Sequence, residues 1–154
     1  MSSQLDLYQQ VILEHNRKPR NFKEMPEASH KAEGYNPLCG DHLWIYLKVN
    51  TAGTIEQISF QGNGCAISKA SASLMTTVLK GRQSSDVQEL FEDFQMLLKG
   101  NLKTDTDGVQ DRLGKLKIFA GIWQYPSRIK CASLAWHTMK GALDDEKVAI
   151  STEK

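Results

Sequence analysis

The chain lacks most of the features that mark a specialised protein class. It contains no run of about 18 apolar residues of the length a bilayer requires. Its first residues, Met1-Ser2-Ser3-Gln4-Leu5-Asp6, carry neither the basic nor the apolar segment of a secretory leader. A cytoplasmic protein without a membrane partner is therefore expected. Charge of one sign is missing too: 19 Lys and Arg face 18 Asp and Glu, a net charge of +1, and the basic residues are scattered rather than gathered into a stripe. This balance offers no footprint for a polyanion, so no nucleic-acid partner is expected. Neither an internal repeat nor a low-complexity tract is visible. Cysteine is scarce, with only three in 154 residues. An odd count in a reducing compartment argues against a disulfide framework and leaves metal binding, nucleophilic chemistry or inert burial.

What is present is an ordinary globular composition, 40% hydrophobic. A chain of this length buries roughly 70% of its unfolded surface, enough for a sizeable core. One domain over residues 1–154 is expected, with a core of about 5–143 and a tail at 144–154 that frays. Leu5, Tyr8, Ile12 and His15 recur at helical spacing, and Pro19 stops that helix near Arg17. Phe22 to Gly34 is polar, without a clear period, and reads as a loop. His42 to Val49 alternates, Ala52-Gly53 turns the chain, and Ile55 to Phe60 returns it, which is an antiparallel hairpin. Two strands alone are marginal, so a third is looked for before Pro37, although periodicity there is weak.

From Ala66 the period changes. Ile67, Ala70, Leu74 and Val78 mark a helix rich in small residues that ends before Gly81. Ser84 or Ser85 is the expected cap of a second, with Val87, Leu90, Phe91, Phe94 and Leu97 on its apolar side. Asn101 to Gly108 reads as a polar loop. Leu113, Leu116, Ala120 and Trp123 form a third helix that must end before Pro126, and Ser127 can cap a fourth carrying Ala132, Ala135, Trp136, Met139 and Leu143. The expected class is α+β: a small antiparallel sheet of about three strands with helices packed on it.

Each cysteine falls at a turn or helix start in this outline. Cys39 lies in Asn36-Pro37-Leu38-Cys39-Gly40-Asp41, Cys65 in Gly62-Asn63-Gly64-Cys65, and Cys131 in Arg128-Ile129-Lys130-Cys131. Free amides and the positive end of the helix dipole favour thiolates at Cys65 and Cys131. Asp41, two residues beyond Cys39 across a glycine, can turn its carboxylate toward the same point. Cys39, Asp41, Cys65 and Cys131 together suit a tetrahedral zinc site. Four anionic ligands around one divalent cation leave an excess of negative charge that Arg128 and Lys130 are placed to offset. Each element also has a plain reading: a turn at Cys-Gly-Asp, a strand-to-helix turn at Gly-Asn-Gly, a solvated helix start at Arg128 and Lys130. His42 and His137 are rival ligands. His42 follows Asp41 on a strand and so points to the opposite face, and His137 lies about 240° round a helix from Cys131.

Three segments carry a resemblance: Asn36-Pro37-Leu38-Cys39-Gly40-Asp41, Gly62-Asn63-Gly64-Cys65-Ala66-Ile67-Ser68 and Arg128-Ile129-Lys130-Cys131-Ala132-Ser133-Leu134-Ala135-Trp136. In order and with their cysteines intact, they resemble the signatures of the SufU/IscU family of iron-sulfur cluster assembly proteins, from Leu7 to about Leu143. The long helical stretch between Cys65 and Cys131, and Lys130 where IscU-type proteins have histidine, look closer to the SufU type. Leu38, Ala66 and His137 are minor departures at positions that ligate nothing. The resemblance implies zinc on Cys39, Asp41, Cys65 and Cys131, Cys39 as persulfide acceptor, Arg128 as electrostatic support, and a SufS-type cysteine desulfurase as partner. It implies an enzyme-like carrier, a zinc-dependent sulfurtransferase. Its alternative is a scaffold holding iron or a [2Fe-2S] cluster on the same ligands for delivery to apo-proteins, and a third reading is a purely structural zinc domain.

Overall fold

The computed structural model describes residues 3–37, 39–100, 113–144 and 150–151. The loop expected at Asn101 to Gly108 and the residue Leu38 lie outside them. Helix α1 (Ser3–Arg17) ends as expected before Pro19, and its inward positions Ile12 and His15 are buried. Strands β1 (His30–Asn36), β2 (Asp41–Val49) and β3 (Ile55–Asn63) form an antiparallel meander. The two-residue strand β4 (Ile150–Ser151) joins it in parallel, giving the order β3-β2-β1-β4.

The third strand is thus β1, which begins inside the stretch read as a loop. His30 to Gly34 escaped the periodicity argument because the strand's burial hardly alternates and its core contact is made through a glycine. A Cβ at Gly34 would stand 2.0 Å from Thr138 Oγ1, so only glycine lets the last helix lie this close. The polar run before β1 is used as well: Phe22 bridges to Phe60 along the outer edge of β3, with Lys23 N donating to Phe60 O at 3.0 Å. That pairing covers an edge that would otherwise be open to aggregation.

Helix α2 (Ala66–Leu79) packs on β3 and α1, and the small residues Ala70, Ser71, Ala72 and Ser73 are all buried in that packing. Helix α3 (Ser84–Leu98) follows, then a 3-10 helix (Gly114–Gln124), then α4 (Pro126–Leu143). Leu43, Ile45 and Leu47 of β2 point into a core shared with α4, where Trp136 is fully buried and its ring lies 4.7 Å from that of Phe94. Two expected caps are corrected. Gln83 rather than a serine precedes α3, with Ser84 already helical. Tyr125 rather than Ser127 precedes α4, because Pro126 occupies the first helical position, where its fixed φ is suited and its missing N–H costs nothing. Among the described residues no helix is long and apolar enough to cross a membrane.

Candidate metal centre

Strand register and helix starts bring the three motifs together. Asn36 and Asp41 face each other at the end of the β1–β2 hairpin, and the turn between them carries Cys39. Gly40, at φ +74, supplies the left-handed residue that reverses the chain, and Cys39 N donates to Asn36 O at 3.2 Å. At the end of β3, Cys65 is the N-cap of α2, its Sγ accepting from Ser68 N at 3.4 Å. Gly64 is needed there for a different reason: a Cβ would lie 2.8 Å from Asp41 Oδ1. Helix α4 presents Cys131 from behind.

The Sγ atoms of Cys39 and Cys131 lie 3.4 Å apart, and with an Asp41 oxygen they form a group whose donor atoms all sit within 4.8 Å of one another. Cys65 is outside that mutual group, although its sulfur shares a hydrogen bond with Cys131. Cys39 is exposed, Cys65 half-buried and Cys131 buried, so the group grades from solvent to core. Asp41 is 1% exposed, yet both its oxygens are served: Oδ1 accepts from Cys65 N at 2.8 Å, and Oδ2 from Ser68 Oγ at 2.8 Å and Asn36 Nδ2 at 3.1 Å. A buried carboxylate with three donors is satisfied and held in one orientation.

The donor set fits zinc. Two sulfurs bound to one zinc at about 2.3 Å in tetrahedral geometry lie about 3.8 Å apart, close to the Cys39–Cys131 separation of 3.4 Å. The Asp41 carboxylate within the group, and the Cys65 thiol beside it, complete the usual ligand chemistry.

Protons within the group are shared unequally. The Cys65 thiol is lowered to about 6, first by the hydrogen bond from Cys131 and then by the Ser68 and Ile67 amides, against burial and the Asp41 charge. The Cys131 thiol is pushed up by its hydrogen bond with Cys65, by burial and by its contact with Cys39. The expectation of an easily ionised Cys131 is therefore corrected. Because α4 starts at Pro126, this cysteine sits in the second turn, away from the free amides of the helix start.

The remaining candidates are placed as follows. The Arg128 guanidinium lies over the Tyr125 ring, 4.5 Å from its centroid, and its charge acts on Tyr8, which also feels Cys65 and Cys131. Arg128 thus stands beside the group rather than in contact with a cysteine. His42 is directed away, with Nε2 bonded to Glu33 Oε2 at 2.5 Å and its ring stacked between Tyr35 and Trp44. His137 packs edge-on against Phe91. Three residues next to the group were not singled out from sequence: Asn36, Ser68 and Tyr8. The first two lie inside the motifs, and an asparagine closing one strand opposite an aspartate opening the next was the available signal.

The sequence of residues 7–144 matches the family model described as the NifU-like N terminal domain. The chain belongs to the NifU-like N-terminal domain family. Within that family it is 36% identical to the zinc-dependent sulfurtransferase SufU of Bacillus subtilis (strain 168), over 91% of this chain and 92% of the relative. It is 33% identical to the iron-sulfur cluster assembly scaffold protein IscU of Streptococcus pyogenes serotype M1, over 89% of this chain and 82% of the relative. Among solved structures, an iron-sulfur cluster assembly scaffold protein for the SUF system from Fervidobacterium islandicum AW-1 superposes with a TM-score of 0.79 at 27% identity, covering 86% of this chain and 93% of that one. The NifU-like family thus spans both the sulfurtransferase and the scaffold that the motifs resemble, and the α+β fold is shared with it.

Proposed function

We propose that this protein is a zinc-dependent sulfur-transfer protein of iron-sulfur cluster biogenesis. It would take persulfide sulfur from a SufS-type cysteine desulfurase in the cytoplasm, with Cys39, Asp41, Cys65 and Cys131 as zinc ligands. The observation that carries this reading is the gradation of the ligand group: an exposed Cys39 on a turn, 3.4 Å from the sulfur of a buried, helix-held Cys131. Lys130, directly before Cys131, supports transfer over cluster holding, because a protonated ammonium supplies charge but no ligand. The similarity to a SufU named as a zinc-dependent sulfurtransferase supports it too.

Bound zinc would keep the thiolates ionised and shielded from oxidation. The Cys39 thiolate attacks the outer sulfur of the desulfurase persulfide. The partner's S–S bond breaks, its cysteine leaves as a thiolate, and Cys39 holds the transferred sulfur as a persulfide, with no net oxidation. Asp41 stays in place through its three hydrogen bonds, and Arg128 lowers the cost of negative charge at the mouth of the group.

The similarity to IscU scaffolds favours a second reading, in which the same four residues hold a [2Fe-2S] cluster. Metal analysis of the purified protein tests the shared site under both readings. About one zinc per chain is expected under the first reading and about two irons under the second, and full occupancy in a Cys65→Ser/Cys131→Ser double variant would refute the shared site.

A further inference from the structure

We infer that Asn36 is the positioning residue that ties the Asp41 carboxylate and the Cys131 sulfur into one rigid pair, so that ligand exchange at the centre falls to Cys39. The inference rests on the metal-centre reading above and adds the reason why one thiolate rather than another is free to move. The Asn36 side chain is wholly buried, at the last position of β1. Its Nδ2 stands 3.1 Å from Asp41 Oδ2 and 3.6 Å from Cys131 Sγ. An amide nitrogen carries two N–H donors, which is one for each acceptor. A single side chain therefore joins the start of β2 to the second turn of α4.

The other two held groups have donors of their own. Asp41 Oδ1 is fixed by Cys65 N at 2.8 Å, and Cys65 Sγ by Ser68 N at 3.4 Å. Cys39 differs. The residue is exposed, its described sulfur contact is the thiol of Cys131, and the next residue is the left-handed Gly40. N–H donors restrain a thiolate and withdraw charge from it, so the thiolates that receive them are the poorer nucleophiles and the less mobile ligands. Asn36 makes Cys131 one of these. An apolar residue of the same size would fill the space but leave a buried carboxylate oxygen and a sulfur short of donors.

The test is site-resolved labelling of zinc-loaded protein. Limiting N-ethylmaleimide is added, and each cysteine peptide is quantified by mass spectrometry. Wild-type protein should react first at Cys39, with Cys131 well protected. In Asn36→Ala the Cys39-to-Cys131 labelling ratio should fall about tenfold, the lower end of what a hydrogen bond to a charged group is worth. Asn36→Leu keeps about the same size and removes the donors without adding a charge beside Asp41, so the ratio should fall as far there, and it serves where the alanine variant does not fold. A third readout needs no variant: in wild-type protein loaded with cadmium-113, one Asn36 side-chain proton should show coupling to the metal through its N–H···S bond. An unchanged ratio in a folded, zinc-loaded variant would overturn the inference. So would a uniform rise at all three cysteines, the signature of a merely structural role, or the absence of the coupling. Wild-type protein that binds no zinc or cadmium would overturn the metal-centre reading itself, and this inference with it.

Discussion

Gly64→Ala places a methyl group against the carboxylate that the proposed centre depends on. Its Cβ would stand 2.8 Å from Asp41 Oδ1, 3.2 Å from Ser68 Cβ and 3.3 Å from Asp41 Cγ. Since non-bonded heavy atoms settle at about 3.5 Å, the carboxylate must retreat by roughly 0.5 Å or more. The retreat stretches the Cys65 N–H bond to Oδ1 from 2.8 Å toward the limit at which it counts as a hydrogen bond. A bond from a donor to a charged group is worth about 1.5–3 kcal/mol, so zinc should bind at least about tenfold more weakly. Chelator competition at fixed pH reads that change. Gly81→Ala is the control: at φ +88 with open space around it, it costs stability through backbone strain and should leave zinc affinity alone. Equal zinc affinity in wild type and Gly64→Ala, with the variant folded, would refute the assignment of Asp41 as a ligand held in this orientation.

Arg128→Ala should slow sulfur acceptance severalfold while changing the melting temperature little, because an exposed charge stacked on Tyr125 contributes little to stability but adds to the field at the group; a transfer rate equal to wild type would make it an ordinary surface charge. His15, buried with Nδ1 2.7 Å from Ser73 Oγ, has its pKa lowered by burial and then by Arg20. The neutral form is therefore favoured in the folded state, and stability should be complete above the unfolded value of about 6.5 and fall as the pH drops through and below it. Comparing melts at neutral and mildly acid pH, His15→Gln should lose less than wild type, and an equal loss would contradict this assignment. In the Cys65→Ser/Cys131→Ser variant, metal content should drop to a small fraction of the wild-type value.

The motifs announced most of the site, and the structure explains where they were incomplete. Cys39, Asp41 and Cys65 fall at the turn and helix start that Pro37, Gly40 and Gly64 imply, since those residues mark backbone geometry directly. The α4 boundary was less legible, because Pro126 reads equally as the end of one helix and the first residue of the next. That one ambiguity moved Cys131 from an expected first turn into the second, away from the free amides, while its hydrogen bond with Cys65 and its burial push its thiol up. Strand β1 was faint because Gly34, the position that meets the last helix, has no side chain to show a period. Ser68 could not be read as a partner of Asp41 from spacing alone: it lies 27 positions away, and the bond forms only when α2 docks beside the hairpin.

The central claim is that Cys39 is the thiolate that leaves the metal and accepts sulfur. Zinc-loaded protein is mixed with a SufS-type desulfurase and cysteine, quenched by alkylation, and its Cys39 peptide is weighed. The account predicts an added sulfur mass on Cys39, absent from the Cys65 and Cys131 peptides, and loss of desulfurase stimulation in Cys39→Ser even where zinc is retained. No adduct at Cys39, together with a stable cluster that passes intact to an apo-ferredoxin, would contradict it and make the protein a scaffold.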